Sequence, residues 1–123
     1  MREKVNSETG QRPGARAERD FGFTVLIKLG GVYKIFEPVD ISEGGLSVVA
    51  FDTSLIPMML GKTLNFKISG REELLGVVGT ARLVGIMEEG QETKLAFETE
   101  LEDTSATKIR LYVINAINRL FGA

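Results

Sequence analysis

The sequence predicts an all-β domain, a small antiparallel barrel or sandwich of about six strands, with a flexible arm before it and an amphipathic helix after it. Three observations carry this. Apolar and polar residues alternate through a succession of short segments, and glycine-bearing turns separate those segments at regular spacing. Only the end of the chain changes to a helical period.

Taken in order, residues 1–20 hold almost no apolar side chains and include Gly10, Pro13 and Gly14, the composition of a flexible arm. The barrel is expected over 21–103. Its first strand is read from Phe23, Val25, Ile27 and Leu29, which alternate with Thr24, Leu26 and Lys28. Gly30-Gly31 is a two-residue hairpin signal. The return strand runs from about Val32 to Val39, with Tyr33, Ile35 and Val39 on one face, and a turn over Asp40–Gly45 follows. The third strand, Leu46 to Phe51, leads into the wide connection DTSLIPMMLGK. In TLNFKIS (63–69) Leu64, Phe66 and Ile68 point inward. Two further strands, about 74–86 and 93–99, are joined across EEGQE. A helix over 104–122 closes the chain: Ile109, Val113, Ala116, Ile117, Leu120 and Phe121 recur at its period. Thr104 or Ser105 can cap its start, and Arg119 sits where the helix dipole favours a cation. Leu111 and Ile114 fall off that stripe, as exposed side chains or as a second apolar face for a partner.

With 123 residues there is room for one domain and one modest core. No apolar run approaches the ~18–20 residues that span a bilayer, so membrane insertion is not expected. The first residues lack the apolar core of a secretory signal, and a cytoplasmic location is the default. The chain has no cysteine and no histidine, which removes disulfides, thiolate metal sites and the Ser-His and Cys-His nucleophile pairs. Many of the 17 acidic residues cluster over 88–103, the pattern of a solvated face. The expectation is therefore a protein that is not an enzyme, with no metal site and no cofactor. The net charge of −2 hides a local asymmetry, with Arg12, Arg16 and Arg19 near the start and Lys108, Arg110 and Arg119 near the end. That balance suits a small anion better than DNA or RNA, which asks for a broad basic face.

Two short motifs carry chemistry. The arm reads RPGAR, with Arg12 and Arg16 separated by three residues; the turn reads Asp40-Ile41-Ser42-Glu43-Gly44-Gly45. Singly, each is ordinary: tail arginines are usually solvated, and Asp, Ser and Gly-Gly with its access to positive φ are turn formers. Together, one hairpin apart, they resemble the PilZ domain family, which binds cyclic di-GMP through an R-x-x-x-R and a D-x-S-x-x-G motif. Gly61, the Gly-Val-Val-Gly run from Gly76, the strand ending in Ala96-Phe97 and the C-terminal helix are similar too, so the resemblance covers roughly 10–122. Many members have a glycine before that aromatic, where this chain has Leu95-Ala96-Phe97.

The resemblance implies a six-stranded split barrel and a cyclic di-GMP site made of Arg12, Arg16, Asp40, Ser42, Gly44 and Gly45. Guanidinium forks match guanine O6 and N7, and also stack on purine faces while meeting phosphate. Asp40 would accept from the guanine N1–H and N2–H₂ groups, Ser42 would donate its hydroxyl, and Gly44 and Gly45 would let the backbone approach. The implied function is a bacterial second-messenger receptor that orders its arm over the ligand and acts through a partner protein, or through homo-oligomerisation by the helix. One alternative is an interaction module of the same fold that does not bind nucleotide and works through Leu111 and Ile114. A more distant one is a small barrel for single-stranded nucleic acid, which predicts aromatics interleaved with basic residues.

Overall fold

The computed structural model of the protein describes residues 22–121, so the expected arm with Arg12 and Arg16 lies outside the described residues. Six strands follow one another: β1 (Thr24–Leu29), β2 (Val32–Ile41), β3 (Gly45–Ala50), β4 (Thr63–Ser69), β5 (Val78–Glu89) and β6 (Glu92–Leu101), then the helix α1 (Asp103–Phe121). All pairings are antiparallel, in the order β1-β2-β3-β6-β5-β4. The sheet closes on itself where Thr24 to Ile27 of β1 pair with Ser69 to Phe66 of β4. Of the two architectures open to the sequence, it is the barrel.

The period-two pattern becomes the core. Val25, Ile27 and Leu29 of β1 and Leu64, Phe66 and Ile68 of β4 are buried inside the barrel with Leu46, Val48, Leu95 and Phe97. Burying each such side chain fully contributes about 1.5–3 kcal/mol. Strand β2 takes the other phase. Val25 stands opposite Phe36, so Phe36 and Pro38 point inward and are buried, while Tyr33 and Ile35 face solvent. The expected strand from residue 74 begins only at Val78, because Glu72–Leu74 forms a 3₁₀ turn and Gly76 takes φ +84°.

The two ends of the barrel are filled differently. At one, a 3₁₀ helix over Thr53–Met58 follows Asp52, whose carboxylate accepts from the Ser54 N–H at 3.0 Å. Leu55 and Ile56 pack on the core there, and Met59 is fully buried. At the other end lie the starts of β1 and β3, the ends of β2 and β6, and α1. Ile109 and Tyr112 of α1 are buried, with the Tyr112 ring perpendicular to Phe23 at 5.8 Å between centroids. Ser105 is inside the helix rather than before it: its buried hydroxyl accepts from the Val78 N–H at 3.1 Å and ties α1 to β5. Lys108 Nζ donates to the Leu75 carbonyl at 2.6 Å.

Beyond Val113 no helix side chain is buried, although Ala116 is half-buried and Asn115 still hydrogen-bonds Glu73. Leu120 and Phe121, which share the helical stripe of Ile109, are 79% and 83% exposed. The stripe is continuous, but the surface that covers it spans only its first half.

Candidate functional site

The D-x-S-x-x-G segment begins inside β2 and ends in β3, and a β-bulge decides where its aspartate points. Pro38 pairs with Val48 and Asp40 pairs with Ser47, which leaves Val39 as an extra residue. Without it, Asp40 would continue the inward phase of Phe36 and Pro38. With it, Asp40 turns to the outer face while Ile41, opposite Leu46, packs on the core. A second bulge in β5 leaves Val84 unpaired between Leu83, opposite Phe97, and Gly85, opposite Ala96.

Asp40, Ser47, Ala96 and Gly85 thereby form one cross-strand row over β2, β3, β6 and β5 on the outside of the barrel. Three of the four side chains are small or absent. They floor a trough of about 290 Å³ whose walls include Ile86, Met87 and Lys94. Lys94 forms an ion pair with Glu89, and Arg82 forms one with Glu98.

The turn itself is pinned from beneath. The Ser42 N–H donates to the Gly45 carbonyl at 2.8 Å, and the buried Thr99 donates its hydroxyl to the Glu43 carbonyl and its N–H to the Gly44 carbonyl, each at 3.1 Å. Ser42 also directs its hydroxyl to the Gly45 carbonyl, at a long 3.3 Å. Neither Gly44 nor Gly45 takes a positive φ, so the doubled glycine is not there for left-handed backbone. Space is the reason at Gly45, where an added Cβ would meet the Phe97 carbonyl at 3.0 Å. At Gly44 an added Cβ would meet nothing within 4 Å, so the backbone lies open to the outside.

One side chain of the turn reaches across to α1. Arg110 Nη2 donates to Glu43 Oε2 at 2.6 Å, and this hydrogen bond and ion pair hold the Glu43 carboxyl below its ordinary value. Sequence reading did not single out Glu43 as a site residue. Nor did it find Ser47, Ala96, Gly85 or a site role for Arg110. The small residues leave a faint signal, since they fall at alternate, outward positions. The switch of apolar phase between Pro38 and Ile41 signals the bulge.

Asp40, Ser42, Gly44 and Gly45 are thus brought together on one outer corner of the barrel. Gly22, where the described chain begins, lies at the same end, because β1 runs antiparallel to β2 beside it. A larger hollow of about 460 Å³ lies elsewhere, lined by Tyr33, Asn65, Thr80, Glu100 and Glu102 among others. Lys67 and Lys28 stand over the Tyr33 ring at 4.4 and 5.9 Å.

No family model matches the chain, and no curated protein matches it in sequence. Among solved structures it is similar to the Bacillus subtilis inhibitor of motility MotI/DgrA, with a TM-score of 0.65 and 19% identity over 79% of this chain and 47% of that one. It is also similar to Borreliella burgdorferi PlzA, solved in complex with c-di-GMP, with a TM-score of 0.52 and 10% identity over 78% of this chain and 45% of that one. This chain spans about half the length of either protein. At such identities a likeness carries the fold and no more, and with the closed barrel, its strand order and the terminal helix it gives the conclusion that this protein has a PilZ-like fold.

Proposed function

We infer that the protein is a cyclic di-GMP receptor module whose site is the outer corner at Asp40–Gly45, closed by Arg12 and Arg16 of the arm. The observation that carries this reading is the bulge at Val39. It turns Asp40 outward to the head of a small-residue trough, an arrangement that a plain turn does not need. A planar guanine can lie on Ser47, Ala96 and Gly85 with its N1–H and N2–H₂ donors toward Asp40. The open backbone at Gly44 admits a phosphate nearby.

The arm has the reach to complete the site. Arg16 lies six positions before Gly22, a span that at ~3.3–3.6 Å per residue extends up to about 20 Å. Arginine suits the role because its fork pairs with guanine and its plane stacks on it. Ordering an arm costs entropy, so an affinity near ~1 μM, about −8 kcal/mol, is expected. The output would pass to a partner protein in the cytoplasm. The neighbour PlzA, solved with c-di-GMP, supports the ligand class.

Isothermal titration of cyclic di-GMP, with GMP as control and Arg12→Ala/Arg16→Ala alongside, tests the reading. Micromolar binding that disappears in the double variant supports it and gives the number of ligands per chain. No heat with cyclic di-GMP overturns it. A second reading, a protein-interaction module of this fold that binds no nucleotide, is favoured by the exposure of Ile114, Ile117, Leu120 and Phe121 on the outer half of α1.

A further inference from the structure

We propose that Arg110 is a third ligand arginine: in the free protein Glu43 holds its guanidinium at the turn, and on binding it passes from that carboxylate to a phosphate of the ligand. The proposal rests on the receptor reading above and deepens it, since Arg110 belongs to neither motif and lies 67 residues from Glu43 in the chain.

The first argument is charge. Two carboxylates, Asp40 and Glu43, flank the turn that is to receive a dianion. Asp40 has a use against the donor groups of guanine. Glu43 has none, and unpaired it would repel the phosphates. Arg110 stands 2.6 Å from it and cancels that charge.

The second is placement. Arg110 follows the buried Ile109 and precedes the buried Tyr112 by two residues, so its backbone is fixed on the barrel end beside the turn. Its partner's backbone is fixed as well, through Thr99. The two side chains are exposed by comparison, at 51% and 46%. An exposed ion pair of this kind contributes little to stability and is readily exchanged. A guanidinium binds phosphate in the same two-pronged, charge-assisted fashion as it binds carboxylate. A phosphate at the turn can therefore take Arg110 from Glu43, whose half-exposed carboxylate is left to solvent, and Glu43 has a purpose: it keeps the cation at the site while the site is empty.

The third is geometry at Gly44. The open backbone there lies one residue from Glu43, so a phosphate resting on it falls within reach of a long side chain already anchored at its neighbour.

The test is a titration of cyclic di-GMP into the wild type, Arg110→Ala, Glu43→Gln and Arg110→Ala/Glu43→Gln, with ligand-free melting of each to show that the fold is kept. Arg110→Ala is expected to weaken binding about tenfold or more, a change of 1.4 kcal/mol. Glu43→Gln is expected to tighten it, because the cation is released and a like charge is gone. The decisive comparison is within the Glu43→Gln background. If Arg110→Ala still weakens binding there, Arg110 touches the ligand. If it has no effect there, Arg110 only neutralises Glu43 and the proposal is overturned. Wild-type binding unchanged by Arg110→Ala overturns the proposal and leaves the receptor reading standing. No binding by the wild type overturns both.

Discussion

At the scale of single residues, the glycines separate packing from function. Gly79 of β5 has no room: an added Cβ would lie 2.5 Å from the Glu100 carbonyl and 2.7 Å from Leu101 Cδ2. Gly79→Ala should therefore cost about 1–3 kcal/mol in urea unfolding, as overpacked sites do. Gly44→Ala should leave stability unchanged, since the new methyl meets nothing and φ is not positive. It should nonetheless weaken cyclic di-GMP binding, because the methyl stands where the ligand approaches the backbone. Equal affinity in the Gly44 variant would return Asp40–Gly45 to the status of a turn. The sequence shows the doubled glycine but not that the two serve different ends, because what surrounds each is decided by β6, half a chain away.

At the scale of elements, alternation made the strands readable and left their irregularities hidden. Leu64, Phe66 and Ile68 fall inward as their spacing says. In β2 the same rule gathers Tyr33, Ile35 and Val39 on one face; the first two stand outside because they pair with the outward Lys28 and Leu26 of β1, and the bulge at Val39 breaks the phase only beyond them. Bulges depend on how two strands meet, and a single strand's pattern does not hold that information. The helix shows a similar limit. Its stripe was legible along its whole length, whereas the point where the barrel ceases to cover it was not. Ile109→Ala should cost about 2–5 kcal/mol, as a fully buried truncation does. Phe121→Ala, at 83% exposure, should change stability by less than ~0.5 kcal/mol. Urea denaturation of the two variants checks both values. A large loss at Phe121 would mean that the outer half of α1 is covered in solution by something beyond this barrel.

At the scale of the whole molecule, the described acidic groups set a direction for pH. Glu43, Asp52 and Glu73 all titrate below their ordinary values, held there first by hydrogen bonds from Arg110, Ser54 and Arg71 respectively. A carboxyl depressed in the folded state contributes stability that is full above its ordinary value and lost as pH falls through the depressed one. Those ordinary values are 4.5 for the glutamates and 3.8 for the aspartate. These three groups should therefore leave the melting temperature flat from pH 7 to about 5 and contribute a fall below about pH 4.5, a small one because all three are exposed. Glu73→Gln should lessen that fall. An acid limb that is the same in the variant would remove the Arg71–Glu73 pair from the account. The Arg110–Glu43 pair was not legible beforehand, because packing of α1 joins residues 67 apart; the Asp52–Ser54 cap and the Arg71–Glu73 pair are local contacts that the sequence reading passed over.

Closure of the barrel has one more consequence. With β1 joined to β4, each of the six strands has a hydrogen-bonded neighbour on both sides. Among the described residues, the longest rows left with a neighbour on one side only are short: 32–36 of β2, paired with β1 alone, and 83–89 of β5, paired with β6 alone. A visiting strand could add along those two rows, and elsewhere on the barrel wall a macromolecule meets side chains.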